Sequence, residues 1–213
     1  MNLTRFPVNP FEVLTYILWT DDGGEAAIVD PGMMTDDERD MIVGFLDSHR
    51  LTLRHILLTH IHIDHVASAQ WMADRYRLPL EGGKGDEMLG ALLPQQVAMF
   101  HLKLDLPPVK LGRCLVHGDT IMLGDEEIQV REVPGHSAGS LVFYLPASNI
   151  LISGDTLFAG SIGRTDLPGG DYDVLTQAIH TQLFTLPDDT VVYPGHGPET
   201  TIGDERQYNP FFT

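Results

Sequence analysis

The sequence predicts an α+β fold in a single domain over residues 1–213, with sheets stacked inside and helices outside. Three observations predict it. A chain of 213 residues suits one domain with a sizeable core, or at most two small ones. Segments with strand and helix patterning alternate along it, with no linker, low-complexity run or charged tail between them. The order is also strand-dense with intervening helices, which favours stacked layers with sheets inside and helices outside without fixing that architecture. There is no short-period repeat.

Phe11 to Trp19 and Ala26 to Val29 are rich in β-formers and read as a hairpin around Asp22-Gly23-Gly24. Asp30-Pro31-Gly32 ends the second strand with turn chemistry. Thr35-Asp36-Asp37-Glu38 reads as a capping box, and Met41, Ile42, Phe45 and Leu46 follow at helical spacing. Acidic residues in the first turn and His49-Arg50 at the end suit the helix dipole. Leu53 to Leu58 is a short apolar run, read as a buried strand. Val66 to Tyr76 reads as a helix, and a further helical stretch surrounds Met88 to Leu93, interrupted by Pro94. Later strands are expected at Thr120 to Leu123, Ile128 to Val133, Leu141 to Leu145, Ile150 to Ser153 and Thr190 to Tyr193. Asp173 to Phe184 carries apolar residues at helical spacing, and Gly160 to Asp171 reads as a glycine-rich loop over a site mouth.

Composition narrows the function classes. The formal net charge of −17 opposes binding to a phosphate backbone, so nucleic acid is not an expected partner. No apolar run is long enough to span a membrane, and the chain lacks the pattern of a secretory leader. A cytoplasmic protein acting on a small molecule is expected. The one cysteine, Cys114, excludes an internal disulfide and reads as a small packed side chain, not a nucleophile.

Three of the ten histidines lie within six residues: His60, His62 and His65, with Asp64 beside the last. An apolar strand leads into them. On an extended segment alternate residues share a face, so His60 and His62 can point at one cation. Asp64 and His65 follow where the chain starts to turn and can face a second position. A polar loop would account for one such histidine, but not for three with an aspartate at a buried strand end. Imidazole with carboxylate suits zinc, iron or manganese. Further ligand-type side chains stand beside glycine at strand ends: His136 after Pro134-Gly135, Asp155 after Gly154, and His196 after Gly195.

Thr59-His60-Ile61-His62-Ile63-Asp64-His65, with His136, Asp155 and His196, resembles the metallo-β-lactamase superfamily. The motifs span Asp30 to His196. The resemblance implies a four-layer αβ/βα sandwich with metals at the edge between two central sheets. Gly154 to Phe158, Gly160 to Asp166 and Pro194 to Ile202 are similar to the glyoxalase II-like branch. By that resemblance one cation is held by His60, His62 and His136, a second by Asp64, His65 and His196, and Asp155 bridges them. The cofactor is then two divalent cations, zinc first, with iron or manganese as alternatives. Asp64 and Asp155 carry the catalytic role. A water activated between the cations attacks a thioester carbonyl, S-lactoylglutathione being one candidate. The shared carboxylate favours thioesterase-type members over β-lactamases, which carry another residue there.

Asp30 resembles an acidic position near the metals and is a candidate to fix a histidine tautomer. Ser137 and Ser140 are expected to serve the turn after His136. Arg164 is a candidate to pair with a substrate carboxylate, although a partner inside the loop such as Asp166 is the preferred reading. The chain ends without the basic C-terminal region of longer glyoxalase II enzymes, so the chemistry carries over better than glutathione recognition. Two other readings stand beside it: a persulfide dioxygenase-like enzyme with one iron on His60, His136 and Asp155, and a non-catalytic metal-binding domain.

Overall fold

The computed structural model describes residues 1–213. Its first half forms one six-stranded sheet from β1 (Asn2–Val8), β2 (Val13–Trp19), β3 (Glu25–Val29), β4 (Thr52–Leu57), β5 (Leu80–Gly83) and β6 (Arg113–Leu115), in that spatial order. The hairpin around Asp22-Gly23-Gly24 is present as the antiparallel β2–β3 pair. From β3 onward the strands pair in parallel, so each crossover needs a covering segment. The first is α1 (Asp36–Ser48), which begins in the expected capping box of Thr35 with Glu38.

The second half forms the other six-stranded sheet, in the order β14, β13, β10, β9, β8, β7. These are β7 (Thr120–Leu123), β8 (Glu126–Glu132), β9 (Leu141–Leu145), β10 (Ile150–Gly154), β13 (Val191–Pro194) and β14 (Thr200–Thr201). A small hairpin of β11 (Leu157–Phe158) and β12 (Ser161–Ile162) projects after β10. Two helices cover this half: α6 (Tyr172–Ala178), continued by a π-helical turn over Ile179–Leu183, and α7 (Ile202–Tyr208).

Side-chain alternation separates three cores. Tyr16, Leu18 and Leu57 of the first sheet meet Ile128, Phe143 and Ile152 of the second. Ile17, Ile28 and Ile56 point the other way, onto Ile42 and Leu46 of α1. Val142 and Leu151 likewise meet Leu175, Ile179 and Ile202 on the far side. Both sheets are thus buried on two faces, which accounts for the continuous apolar runs in β2 and β9. The result is the four-layer αβ/βα sandwich. Each fully buried aliphatic side chain contributes about 1.5–3 kcal/mol, so the layers hold without a disulfide.

Several local expectations are corrected. β1 is a strand that sequence pattern does not reveal, because Pro7 breaks the strand signal of what proves to be an edge strand. The helix expected over Val66 to Tyr76 is two, α2 (Ile63–Val66) and α3 (Ala69–Tyr76), separated at Ala67-Ser68. Pro94 interrupts nothing: α4 (Glu87–Ala91) ends before it and it sits in the first turn of α5 (Leu93–Met99), where its missing N–H costs nothing. Cys114 is exposed, not packed. In the three-residue β6 the inward place falls to Leu115, so Cys114 faces out. Gly160 to Asp171 is a loop only in part, since Ser161 and Ile162 belong to the small hairpin. No helix is long and apolar enough to cross a membrane.

Candidate metal centre

β4 ends at Leu57, the chain bends at Thr59, and His62 is extended (φ −82°, ψ 149°) just before α2 begins. His60 and His62 both project from this short connecting segment toward one close group. The first turn of α2 then carries Asp64 and His65 round to a different position. From the second sheet, His136 arrives on the turn after β8, Asp155 directly after β10, and His196 two residues after β13. Residues 1–115 and 120–201 thus each contribute ligand-type side chains at the same edge of the sandwich.

The ring nitrogens of His60, His62 and His136 converge. His136 Nε2 lies 2.9 Å from His62 Nδ1 and 3.2 Å from His60 Nε2. In the second group, His196 Nε2 is 3.2 Å and His65 Nε2 is 3.6 Å from Asp64 Oδ2. Within each group all ligand-type atoms lie within 4.8 Å of one another. Asp155 stands between them. Its Oδ1 is 3.3 Å from His65 Nε2, and its Oδ2 is 3.7 Å from both His136 Nε2 and His196 Nε2.

The surrounding hydrogen bonds fix which ring nitrogen faces inward. Asp30 Oδ2 accepts from His65 Nδ1 (2.9 Å) and from Thr59 Oγ1 (2.6 Å), while Oδ1 accepts from the Thr59 N–H (2.7 Å). Thr59 Oγ1, having given its proton to Asp30, accepts from His60 Nδ1 at 3.0 Å. His136 Nδ1 donates to the Arg164 carbonyl at 2.8 Å. His60, His65 and His136 thereby keep Nε2 free for the centre. This is the orientation that histidines bound to metal need. Asp30 also completes a third close group with His60 and His65, but its carboxylate is already committed to these donors.

Asp86 performs a similar task, and no motif in the sequence singles it out. Its buried carboxylate accepts from Ile61 N–H (3.0 Å), Ser137 Oγ (2.8 Å) and Gly139 N–H (2.6 Å). It ties the His60–His62 segment to the His136 turn. Burial pushes its carboxyl up, against the hydrogen bonds from Ser137, Gly139 and Ile61. Ser137 and Ser140 serve that turn, with Ser140 Oγ accepting from the Ser137 N–H at 3.1 Å. Gly195 is required for a different reason: a Cβ there would overlap Asp155 Oδ1 and His65 Cε1.

The arrangement suits cations. His62 Nε2, His65 Nε2 and Asp155 Oδ1 are buried without a hydrogen-bond partner, and such groups are expensive to leave unpaired. Three imidazole nitrogens at the distances of the first group cannot all carry protons. Burial, with the charges of neighbouring histidines, pushes His60 well down and His62 down to about 4. His65 is raised in spite of its burial, because Asp155 and Asp64 flank it. Burial also opposes the charged forms of His196, Asp155 and Asp64. The hydrogen bond to Asp64 and the charge of Asp155 nevertheless raise His196, and His65 leads in holding both carboxyls below their ordinary range. The second group thus favours protonated histidines in the place a divalent charge can take.

A cavity of about 340 Å³ opens onto this centre and is lined by His62, Asp64, His136, Asp155 and His196. His60 and His65 are buried behind it. Arg164 also lines it, but its guanidinium makes two hydrogen bonds to Asp166, of 2.7 and 2.8 Å.

The family model described as the metallo-beta-lactamase superfamily matches residues 8–196. The chain belongs to the metallo-beta-lactamase superfamily. It is 40% identical to an uncharacterised protein of Mycobacterium tuberculosis, over 99% of this chain and 97% of that one. It is 35% identical to the hydroxyacylglutathione hydrolase GloC of Haemophilus influenzae, over 99% and 98%. Among solved structures it is similar to the BLEG-1 B3 metallo-beta-lactamase, with a TM-score of 0.87, 35% identity and 100% of both chains covered. It is also similar to TTHA1623 in a di-iron-bound form, with a TM-score of 0.86, 34% identity and 98% and 99% covered. The chain is accordingly a metallo-hydrolase of this superfamily, and its paired histidine–aspartate clusters match that chemistry.

Proposed function

We propose that the chain hydrolyses acyl thioesters of the glyoxalase II type at a centre of two divalent cations. One would be held by His60, His62 and His136, the other by Asp64, His65 and His196. The observation that carries the reading is Asp155, whose two carboxylate oxygens face the two groups from between them. The full-length relationship to a hydroxyacylglutathione hydrolase supports the thioester as substrate class. When bound, the cations supply Lewis-acid polarisation of a carbonyl and a lowered water pKa.

The chain's own residues do the rest. Asp30 and Thr59 hold the tautomers of His65 and His60, and the Arg164 carbonyl holds that of His136. Asp64 and Asp155 are the carboxylates nearest the cavity and the catalytic pair of the reading. No protonating side chain beyond the ligands is required, because a thiolate leaves without one. Zinc is the first candidate metal. The di-iron form of TTHA1623 makes iron the next, and manganese suits the donors as well. A small-molecule substrate and a cytoplasmic location belong to the same proposal.

The test is reconstitution with zinc, iron or manganese followed by assay on a thioester, a lactone, a β-lactam and a persulfide. Metal-dependent thioester turnover is expected, and Asp64→Asn or Asp155→Asn should abolish it while circular dichroism stays unchanged. The second reading is the persulfide dioxygenase-like enzyme, favoured by the Gly163-Arg164-Thr165-Asp166 segment. One iron per chain with thiol-dependent oxygen consumption would replace the hydrolase reading with that one. Absence of metal-dependent turnover across the panel would favour a metal-binding domain.

A further inference from the structure

The cavity at the metal centre has two unlike sides. One is the ring of histidines and carboxylates. The other is made by Phe11, Leu89, Leu92, Met99, Phe100 and Leu167. Four of these six side chains come from the α4–α5 segment, which stands over the mouth. Leu92, Met99 and Phe100 are exposed by 38%, 62% and 38%, on a chain whose other large apolar side chains mostly lie in the three cores. Phe11 packs edge-on against Phe100 with ring centroids 5.3 Å apart, so the wall is joined to the first sheet.

This wall is fixed relative to the ligand-bearing segment. Gln96 of α5 accepts from the Ile63 N–H at 3.0 Å, and its amide donates to the carbonyls of Ile61 (3.3 Å) and Leu89 (3.1 Å). One side chain therefore spans α4, α5 and the stretch between His60 and Asp64. An apolar group seated on the wall would be held at a set distance from the centre.

The charge of the site points the same way. Arg164 is the only Lys or Arg lining the cavity, and its Nε and Nη2 are engaged with Asp166. The net charge of −17 further disfavours approach by a thiol that carries several carboxylates. The one guanidinium at the cavity is already paired with Asp166, whereas an extended apolar surface is ready to cover a chain of methylenes.

We infer that the substrate is a thioester with an apolar group beside the scissile bond, seated on the α4–α5 wall, and that glutathione is not the group recognised. The inference rests on the thioesterase reading for its chemistry, but binding to the wall can be measured without turnover. The probes are S-methyl and S-hexyl thioethers of N-acetylcysteamine and of glutathione, titrated into the metal-loaded protein by calorimetry. Burial of the added methylenes should tighten binding by about tenfold or more from methyl to hexyl. Replacing N-acetylcysteamine by glutathione should gain less than tenfold. In Leu92→Glu and in Met99→Glu, whose exposed positions tolerate a charge, the methyl-to-hexyl gain should fall below tenfold.

A gain below tenfold in the wild-type protein, or a gain that survives in both variants, overturns the placement. A tenfold or larger preference for glutathione overturns the exclusion of that thiol. The thioesters with acetyl and hexanoyl groups on the same two thiols are assayed in parallel. Their failure to turn over would remove the hydrolase reading, while the thioether series still decides what the wall binds.

Discussion

The Nδ1–H of His65 and the N–H and Oγ1–H of Thr59 all end on the Asp30 carboxylate, and His60 joins the same chain through Thr59. Asp30→Asn exchanges one acceptor oxygen for an amide that must face a donor. The expected cost is about 1–3 kcal/mol of stability and about 10–100-fold in metal affinity. Thermal melting of the metal-free protein and competition against a chelator measure the two separately. Protonation gives a second residue-scale prediction. An unfolded histidine takes up its proton near pH 6.5, but folded His62 does so only near pH 4, and folded His60 is also lowered. Between these values the unfolded chain binds more protons, so the metal-free protein loses stability as pH falls through the window. His65 and His196 are raised, and their contribution runs the opposite way: present below pH 6.5 and lost as pH rises above it. Urea midpoints of metal-free wild type and His62→Gln against pH test this, the variant showing a shallower fall between pH 6.5 and about 4. Because His65 and His196 are raised at the place a cation would take, metal uptake should also release protons. A pH indicator in weak buffer reads that release, and uptake without it would contradict the raised values.

At the scale of elements, α1 shows how far local chemistry reaches. Thr35 caps its N-terminus, and Glu38 both closes the capping box and accepts from the N–H groups of Asn9 and Met34. Thr35→Ala should lower stability by about 1 kcal/mol, with no change in metal affinity, as urea unfolding and metal titration would show. Such elements are legible because their determinants are near in sequence: the capping box, the β2–β3 hairpin and the His60–His65 run at a strand end. β5 and β6 are not legible, since each is short and gains its pairing only from a neighbour already in place. The division between α2 and α3 also escapes a period-based reading. Ser68 there donates its hydroxyl to the Met33 carbonyl and accepts from Arg39, which are tertiary contacts. Asp86 stays hidden for the same reason, because the three donors it serves lie 25 to 53 residues away. The candidate ligands were nearer the surface of the sequence. Each stands beside a glycine or within the histidine cluster, although the pairing of His136, Asp155 and His196 with their groups came from resemblance and not from spacing.

For the whole molecule, the ligand-type residues divide by sheet. His60, His62, Asp64 and His65 follow β4 of the first, whereas His136, Asp155 and His196 follow β8, β10 and β13 of the second. Each sheet is continuous in sequence, and each of the two proposed ligand groups draws on both. Cations at those groups would be cross-links between two consecutive halves of a chain that has no disulfide. Their removal restores the loop-closure freedom of the unfolded chain and also leaves like charges facing one another. The metal-free protein should therefore melt at a lower temperature. Its amide exchange should quicken first at the strand ends that meet at this edge, before the outer helices respond. The edge that carries the chemistry is then also the clasp that keeps the two halves shut, and the price of losing metal is paid in mechanical integrity as well as in turnover.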